Sequence, residues 1–310
     1  MKELKPINKL SPCLVSKIWG GEKLVKFKKM KQAIFDSPIG ESWEISVHPD
    51  GPCFLDNVPL NHYISSECLP YLVKFIDTAD NLSVQVHPDN EYAMMNERSV
   101  GKTECWIILD CAPSSGIYLG IKQGVTRKRF ENAIMNNEDI SQLLNFYETH
   151  RGDFFFVPAG TVHAIGKDVL LCEIQQNSGI TYRVWDWNRL DDNGRPRDLH
   201  INKAMEVIAF DEELNSNRQF QIRKDIFKGH GQKIAKHTDF EIDYYAISDD
   251  IQINALDNKR MNSCICLEGS FEIIHGSDHE FINEWETALL NPRLKYSINS
   301  KAGCKILWIG

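Results

Sequence analysis

The chain has 310 residues, a formal net charge of -8, and 42% hydrophobic and 25% charged residues. That is a globular composition, long enough for one large domain or two of average size. The acidic balance argues against a general nucleic-acid binder, which carries a basic surface. No apolar run reaches the roughly 18 residues of a membrane span, and the N-terminus lacks the apolar core of a signal peptide. The expected compartment is therefore the cytoplasm, with neither nucleic acid nor membrane as a partner. Nine cysteines are scattered without a C-x-x-C pair and read as reduced core thiols.

In chain order, the first 80 residues read as short strands joined by Gly- and Pro-rich turns, one of them at Trp19-Gly20-Gly21. From Gly40 to Val47 the residues alternate, with Glu41, Trp43, Ile45 and Val47 on one face and Ser42, Glu44 and Ser46 on the other. Residues 71–76 are an apolar run interrupted by Lys74, a lysine that either snorkels at an edge or faces a polar cavity. Residues 81–87 alternate again: Ser83, Gln85 and His87 share one strand face, and Leu82, Val84 and Val86 share the other. Pro88 stops that strand. Asp89 caps a short helix that ends before Gly101.

Strands follow over 103–110 and 118–121, then a helical segment over about 126–147 with Thr126 as its cap. Strands resume over 153–158 and 162–166, around the turn Ala159-Gly160-Thr161. Two more run over 169–176 and 180–187, around Asn177-Ser178-Gly179. Residues 199–210 read as a helix and 211–218 as a polar linker. The last third is strand-rich, with a hairpin over 264–275 turning at Glu268-Gly269-Ser270 and further strands over 285–292 and 304–309. The pattern predicts a mainly β protein: two β-barrels in tandem with a few inserted helices.

Gln85, His87, Glu104 and His163 are the candidate metal ligands. Two imidazoles, a carboxylate and an amide oxygen suit a borderline divalent metal such as Zn²⁺, and leave room for water or substrate as a closed structural site does not. If Glu104 points at a metal, Lys102, two residues away, points into the same cavity. The competing reading is coincidence, since ten histidines allow many such groupings. Glu173 and Arg183 lie inside apolar strands, where a charge costs free energy unless it is paired or faces a wet pocket. They either form a salt bridge across a hairpin, or leave Arg183 to stabilise an anionic group of a substrate or intermediate.

The motifs Q-V-H-P-D at 85–89, G-K-T-E at 101–104, V-P-A-G-T-V-H-A-I-G at 157–166 and E-I-Q-Q-N-S-G-I-T-Y-R-V at 173–184 resemble those of type I mannose-6-phosphate isomerases in their short bacterial form. Weaker matches are W-G-G at 19–21, G-E-S-W-E-I-S at 40–46 and D-L-H-I-N-K-A at 198–204. The resemblance implies two tandem cupin (jelly-roll) barrels: a catalytic cupin over 1–215, with the helical insert near 126–147, and a smaller jelly roll over 216–310. It implies one Zn²⁺ per chain on Gln85, His87, Glu104 and His163, with Gln85 the weakest ligand, and an active-site arginine at Arg183. The run W-D-W-N-R at 185–189 departs from the family's usual tyrosine or phenylalanine, which bears on pocket shape.

The implied reaction interconverts mannose 6-phosphate and fructose 6-phosphate through an enediol(ate), moving a proton from C2 to C1. Candidate bases are Glu173, Lys102 with a depressed pKa, or a metal-bound hydroxide. Lys74 and Ser83, expected on neighbouring strands, are the candidate phosphate donors. Two other functions fit the same residues: a two-histidine, one-carboxylate cupin that uses Fe(II) and O₂, and a non-catalytic cupin that binds a sugar phosphate. The full ligand set together with Lys102 and Arg183 weighs against both.

Overall fold

A computed structural model describes residues 4–29, 37–190, 194–255 and 259–310. The strands begin with β1 (Ile7–Leu10), β2 (Cys13–Gly21), β3 (Ile39–Ile45), β4 (Phe54–Leu55), β5 (Val58–Pro59), β6 (Tyr71–Asp77) and β7 (Val84–Val86). They continue with β8 (Glu104–Cys111), β9 (Gly116–Ile121), β10 (Leu144–Glu148), β11 (Phe154–Val157), β12 (His163–Ile165), β13 (Val169–Gln176) and β14 (Tyr182–Trp185). Helices α1 (Lys23–Phe27), α2 (Asn90–Glu97), α3 (Arg127–Met135) and α4 (Ile201–Val207) are set between them. The remaining strands are β15 (Gly231–Lys236), β16 (Glu241–Ile247), β17 (Ile251–Asn254), β18 (Asn262–His275), β19 (Asp278–Asn283), β20 (Thr287–Leu290), β21 (Lys295–Asn299) and β22 (Cys304–Ile309).

Strands β11-β8-β13-β6-β3-β2 form one antiparallel sheet and β10-β9-β12-β7-β14 a second, facing it. The sequence of β8 shows why the first sheet is buried on both sides. Successive side chains alternate, so Trp106 and Ile108 enter the interior between the two sheets. Cys105, Ile107 and Leu109 enter a second apolar layer, against Ile242, Leu289, Leu307 and Ile309 of the C-terminal sheet. Strands β6 and β13 are buried end to end, which explains their near-continuous apolar reading. The outer face of the five-stranded sheet packs Val84, Val86 and Val184 against Phe130 and Ala133 of α3 and Ala204 and Met205 of α4.

The C-terminal sheet runs β1-β20-β18-β22-β16-β15, with β17, β19 and β21 extending it around an interior of Phe271, Ile273, Tyr296 and Trp308. Its edge strand β1 precedes the first barrel in sequence, and Ile7 stands opposite Leu290. The expected division at residue 215 therefore leaves β1 in the sheet of the C-terminal part. All nine cysteines are free thiols. Among the described residues, no helix is long and apolar enough to cross a membrane.

Two local expectations are corrected. The helix expected to continue to residue 147 ends at Met135. The Asp139 side chain accepts from the Ser141 amide and holds a 3-10 turn over Ile140–Leu143, after which β10 pairs with β9. Burial of Ile140, Leu143 and Leu144 outweighs helical propensity there. Nor is there a turn at Glu268-Gly269-Ser270. Strand β18 continues through them with a bulge between Cys266 and Glu268, and Gly269 (φ +78°) supplies the left-handed conformation beside it. The reversal comes later, at Gly276.

Candidate active site and metal centre

Gln85 lies on β7 of the five-stranded sheet, directly opposite His163 on β12 and Arg183 on the edge strand β14. His87 follows two residues on, and Glu104 opens β8 on the facing sheet. The three acid and imidazole side chains converge: His87 Nε2 is 3.5 Å from Glu104 Oε2, and His163 Nε2 is 3.3 Å from Glu104 Oε1. The ligand atoms of the trio lie within 4.8 Å of one another, and all three residues are buried. The Gln85 amide is 3.4 Å from His163 Nε2.

Backbone carbonyls set the histidine tautomers. His87 Nδ1 donates to Ile180 O at 2.8 Å and His163 Nδ1 donates to Thr161 O at 2.9 Å. Each ring thus presents the lone pair of its Nε2 to Glu104. Burial lowers both imidazoles below the usual histidine range, His163 to about 4, so both are neutral near pH 7. Two neutral imidazoles around a carboxylate suit one divalent ion, whose nitrogen and oxygen ligands sit at about 2.0–2.2 Å for zinc. The carboxylate fits as well: neither Glu104 oxygen accepts a hydrogen bond of good geometry, although Lys102 Nζ is 2.7 Å from Oε2. That contact is an ion pair, and each carboxylate oxygen keeps a lone pair to give.

The loops carrying these residues lock one another. Gly160 N donates to His87 O at 2.8 Å, and Gly160 (φ +83°) makes the turn that aims His163 inward. Lys102 N donates to Pro88 O at 3.0 Å and Thr103 N to Gln176 Oε1 at 2.8 Å. Gly101 packs so closely that a Cβ there would stand 2.5 Å from the Asp89 carbonyl carbon. The segments at 85–89, 101–104, 157–166 and 173–184 are thus one hydrogen-bonded unit.

A second row crosses the six-stranded sheet, with Trp106, Glu173, Lys74 and Trp43 opposite one another on β8, β13, β6 and β3. Trp106 Nε1 donates to Glu173 Oε2 at 3.2 Å, and its ring packs edge-on against His163. Lys74 Nζ is 3.8 Å from Glu173 Oε1 and 4.0 Å over the Trp43 ring. Burial, then the Glu104 charge, raises the Glu173 carboxyl above its usual range. Burial lowers Lys74, with Glu41 and Glu173 opposing it. Glu41 is lowered despite its burial, because Lys74, Lys17 and the Trp43 indole outweigh that burial.

Three sequence expectations change here. Burial alone would lower Lys102, yet Glu104 and Glu173 hold its ammonium above the usual lysine range, so the depressed pKa expected of a lysine base is not found. Glu173 and Arg183 form no salt bridge, because β13 and β14 belong to different sheets. Arg183 Nη1 donates to Asp198 O at 2.8 Å, and its buried Nε has no hydrogen-bond partner. Lys74 and Ser83 are likewise not on neighbouring strands: Ser83 precedes β7 on the facing sheet, where its hydroxyl is 3.5 Å from Gln85 Oε1.

Sequence reasoning passed over Trp106, which had no signal beyond its parity with Glu104. It also left Trp43 as one residue of an alternating strand, and missed Asp186, buried between Arg189 and Arg197. The W-D-W-N-R run carried that last signal, an acid three residues before an arginine.

A jelly roll with a buried His–Glu–His group inside it, backed by a second jelly roll, is the cupin class of fold. Residues 7–103 match the type I phosphomannose isomerase catalytic domain. The chain is 41% identical over 216 residues to the probable mannose-6-phosphate isomerase GmuF of Bacillus subtilis, covering 64% of this chain and 67% of that protein. It is 38% identical over 218 residues to the mannose-6-phosphate isomerase of Streptococcus mutans, at the same coverage. A crystal structure of the mannose 6-phosphate isomerase from Bacillus subtilis superposes with a TM-score of 0.82 at 26% identity, over 99% of this chain and all of that one. A zinc-bound mannose 6-phosphate isomerase shares the fold with a TM-score of 0.76 at 14% identity, over 98% of this chain and 99% of that one. The chain belongs to the type I phosphomannose isomerases.

Proposed function

We propose that the chain is a zinc-dependent aldose–ketose isomerase that interconverts mannose 6-phosphate and fructose 6-phosphate through an enediol(ate). The observation that carries this is the convergence of two neutral Nε2 lone pairs on the Glu104 carboxylate, with the buried Glu173, Lys74 and Lys102 grouped beside it. His87, Glu104 and His163 hold the ion, and Gln85 completes the set with its amide turned to present oxygen. When bound, zinc supplies a Lewis acid beside the substrate's carbonyl and hydroxyl oxygens.

The protein's own groups do the rest. Glu173 takes the proton from C2 and returns it to C1, while a hydroxyl proton passes from O2 to O1. A carboxyl raised toward neutrality suits both halves of that transfer. Trp106 orients Glu173 through its indole N–H. Lys74 sits against Glu173 and Trp43, so we assign it to tuning that carboxyl in place of the phosphate role expected from sequence. Arg183, with its Nε free, takes an anionic group of the substrate, and Ser83 stands beside it across Gln85 as a hydroxyl donor. Charge supports the reading. Lys74, Lys102 and Arg183 balance Glu41, Glu104 and Glu173, so a divalent ion leaves a surplus that matches a phosphate dianion.

The test is a coupled assay for fructose 6-phosphate formed from mannose 6-phosphate, run on the purified protein, after chelation, and after zinc is restored. Turnover that is lost and regained is the expected result. Zinc-loaded protein with no turnover rejects the reaction.

A further inference from the structure

Lys102 touches the atoms that the zinc reading needs. Its Nζ is 2.7 Å from Glu104 Oε2 and 3.1 Å from His87 Nε2, and its side chain is only 6% exposed. The backbone holds it there: Lys102 N is bonded to Pro88 O, and Gly101 N to Asn90 Oδ1 at 2.8 Å. Movement is therefore left to the flexible side chain. A buried carboxylate carries one charge, and two cations against the same oxygen repel strongly where water is scarce. Glu173 offers the lysine a second anion. It faces the same interior from β13, diagonally across from Glu104, with Gln175 as the residue directly opposite Glu104.

Resting on the metal site proposed above, we infer that Lys102 and the divalent metal compete for Glu104 Oε2 and His87 Nε2, and that metal binding drives the ammonium from these atoms toward Glu173. Metal loading and assembly of the proton-transfer group are then one coupled event. Lys102 is a positioning residue in this step. It lowers metal affinity, and in return is delivered to the carboxyl that moves the proton. A lysine with a merely structural role would do the opposite, since its removal would loosen the site and weaken metal binding.

The experiment uses the full chain stripped of metal, with Zn²⁺ affinity measured by competition against a chromogenic chelator, and melting temperature measured with and without Zn²⁺. Lys102→Met is expected to bind zinc more tightly, by about 5- to 150-fold, the usual span of a coupling between two sites. Its metal-free form should melt below the metal-free wild type, because Glu104 has lost its cation, and the deficit should vanish in zinc. Zinc binding no tighter in Lys102→Met than in wild type overturns the competition. If that variant does not fold without metal, Lys102→Gln, which keeps a donor at similar reach, is compared in the same way. Failure of the wild type to bind zinc is a separate result, and overturns the metal site itself.

Discussion

His163 Nε2 and Glu104 Oε1 stand 3.3 Å apart, although they belong to the two facing sheets of the first barrel. An ion held by both therefore staples one sheet to the other, and metal should stabilise the fold as well as serve the reaction. At free zinc 100 to 1,000 times Kd, the gain is about 3–4 kcal/mol. Differential scanning calorimetry with and without chelator checks this. In His163→Ala, zinc affinity should fall at least about a hundredfold, beyond what loss of an outer partner costs, and the zinc-dependent rise in melting temperature should disappear.

The same imidazoles predict the acid response of the metal-free protein. Both have folded-state pKa values below the unfolded value of about 6.5. The unfolded chain thus binds protons that the folded one refuses. Their contribution is fully present above about pH 6.5 and is lost as pH falls toward the His163 value of about 4. For His163 alone the loss between pH 7 and pH 5 is about 2 kcal/mol. Urea unfolding of wild type and His163→Gln at the two pH values should show the pH dependence shrinking by about that amount in the variant.

Lys74→Met separates the two roles open to that lysine. Its charge lowers the Glu173 carboxyl, so removing it should push Glu173 further up and move the acidic limb of the kcat–pH profile to higher pH. The fall in kcat near neutrality should be about tenfold or more, equal to about one pKa unit or 1.4 kcal/mol, with KM little changed. A large rise in KM at constant kcat would return Lys74 to the phosphate.

Gly101→Ala tests whether the glycine that opens the 101–104 segment is a packing requirement. The added Cβ meets the Asp89 backbone at 2.5 Å. Relief must shift either the loop carrying Lys102 and Glu104 or the one following His87. A cost of about 1–3 kcal/mol in stability is expected, as for overpacking elsewhere, together with weaker zinc binding. Chemical denaturation and chelator competition read the two effects separately.

Much of this site was legible in the sequence because strand parity is a local rule. The two-residue steps Gln85–His87 and Lys102–Glu104 put each pair on one side of its strand, and the turn Ala159-Gly160-Thr161 placed His163 at a strand end that can aim inward. Sheet membership was not legible. Nothing local says that β13 and β14 join different sheets, and so a Glu173–Arg183 salt bridge stayed open as one of two readings, when the contacts of Glu173 are Lys74 and Trp106. The protonation of Lys102 was only half legible: Glu104 lies two residues away in sequence, but Glu173 comes from β13, whose pairing with β8 no local rule gives. At Gly269 a turn was expected where the strand carries a bulge, because both make the same demand on the backbone.

Strand β1 is synthesised before the first barrel, and its partner β20 only after it. The apolar layer shared by the two barrels also draws on Leu307 and Ile309 of β22, downstream of every other strand described here. A nascent chain that has completed its first barrel therefore carries a bare apolar sheet face and an unmatched strand until the ribosome has delivered the second. That interval exposes the surface on which newly made chains aggregate, and there chaperones have something to hold. Expression at low temperature, or slowed elongation ahead of β15, should change soluble yield more than any substitution inside the metal site.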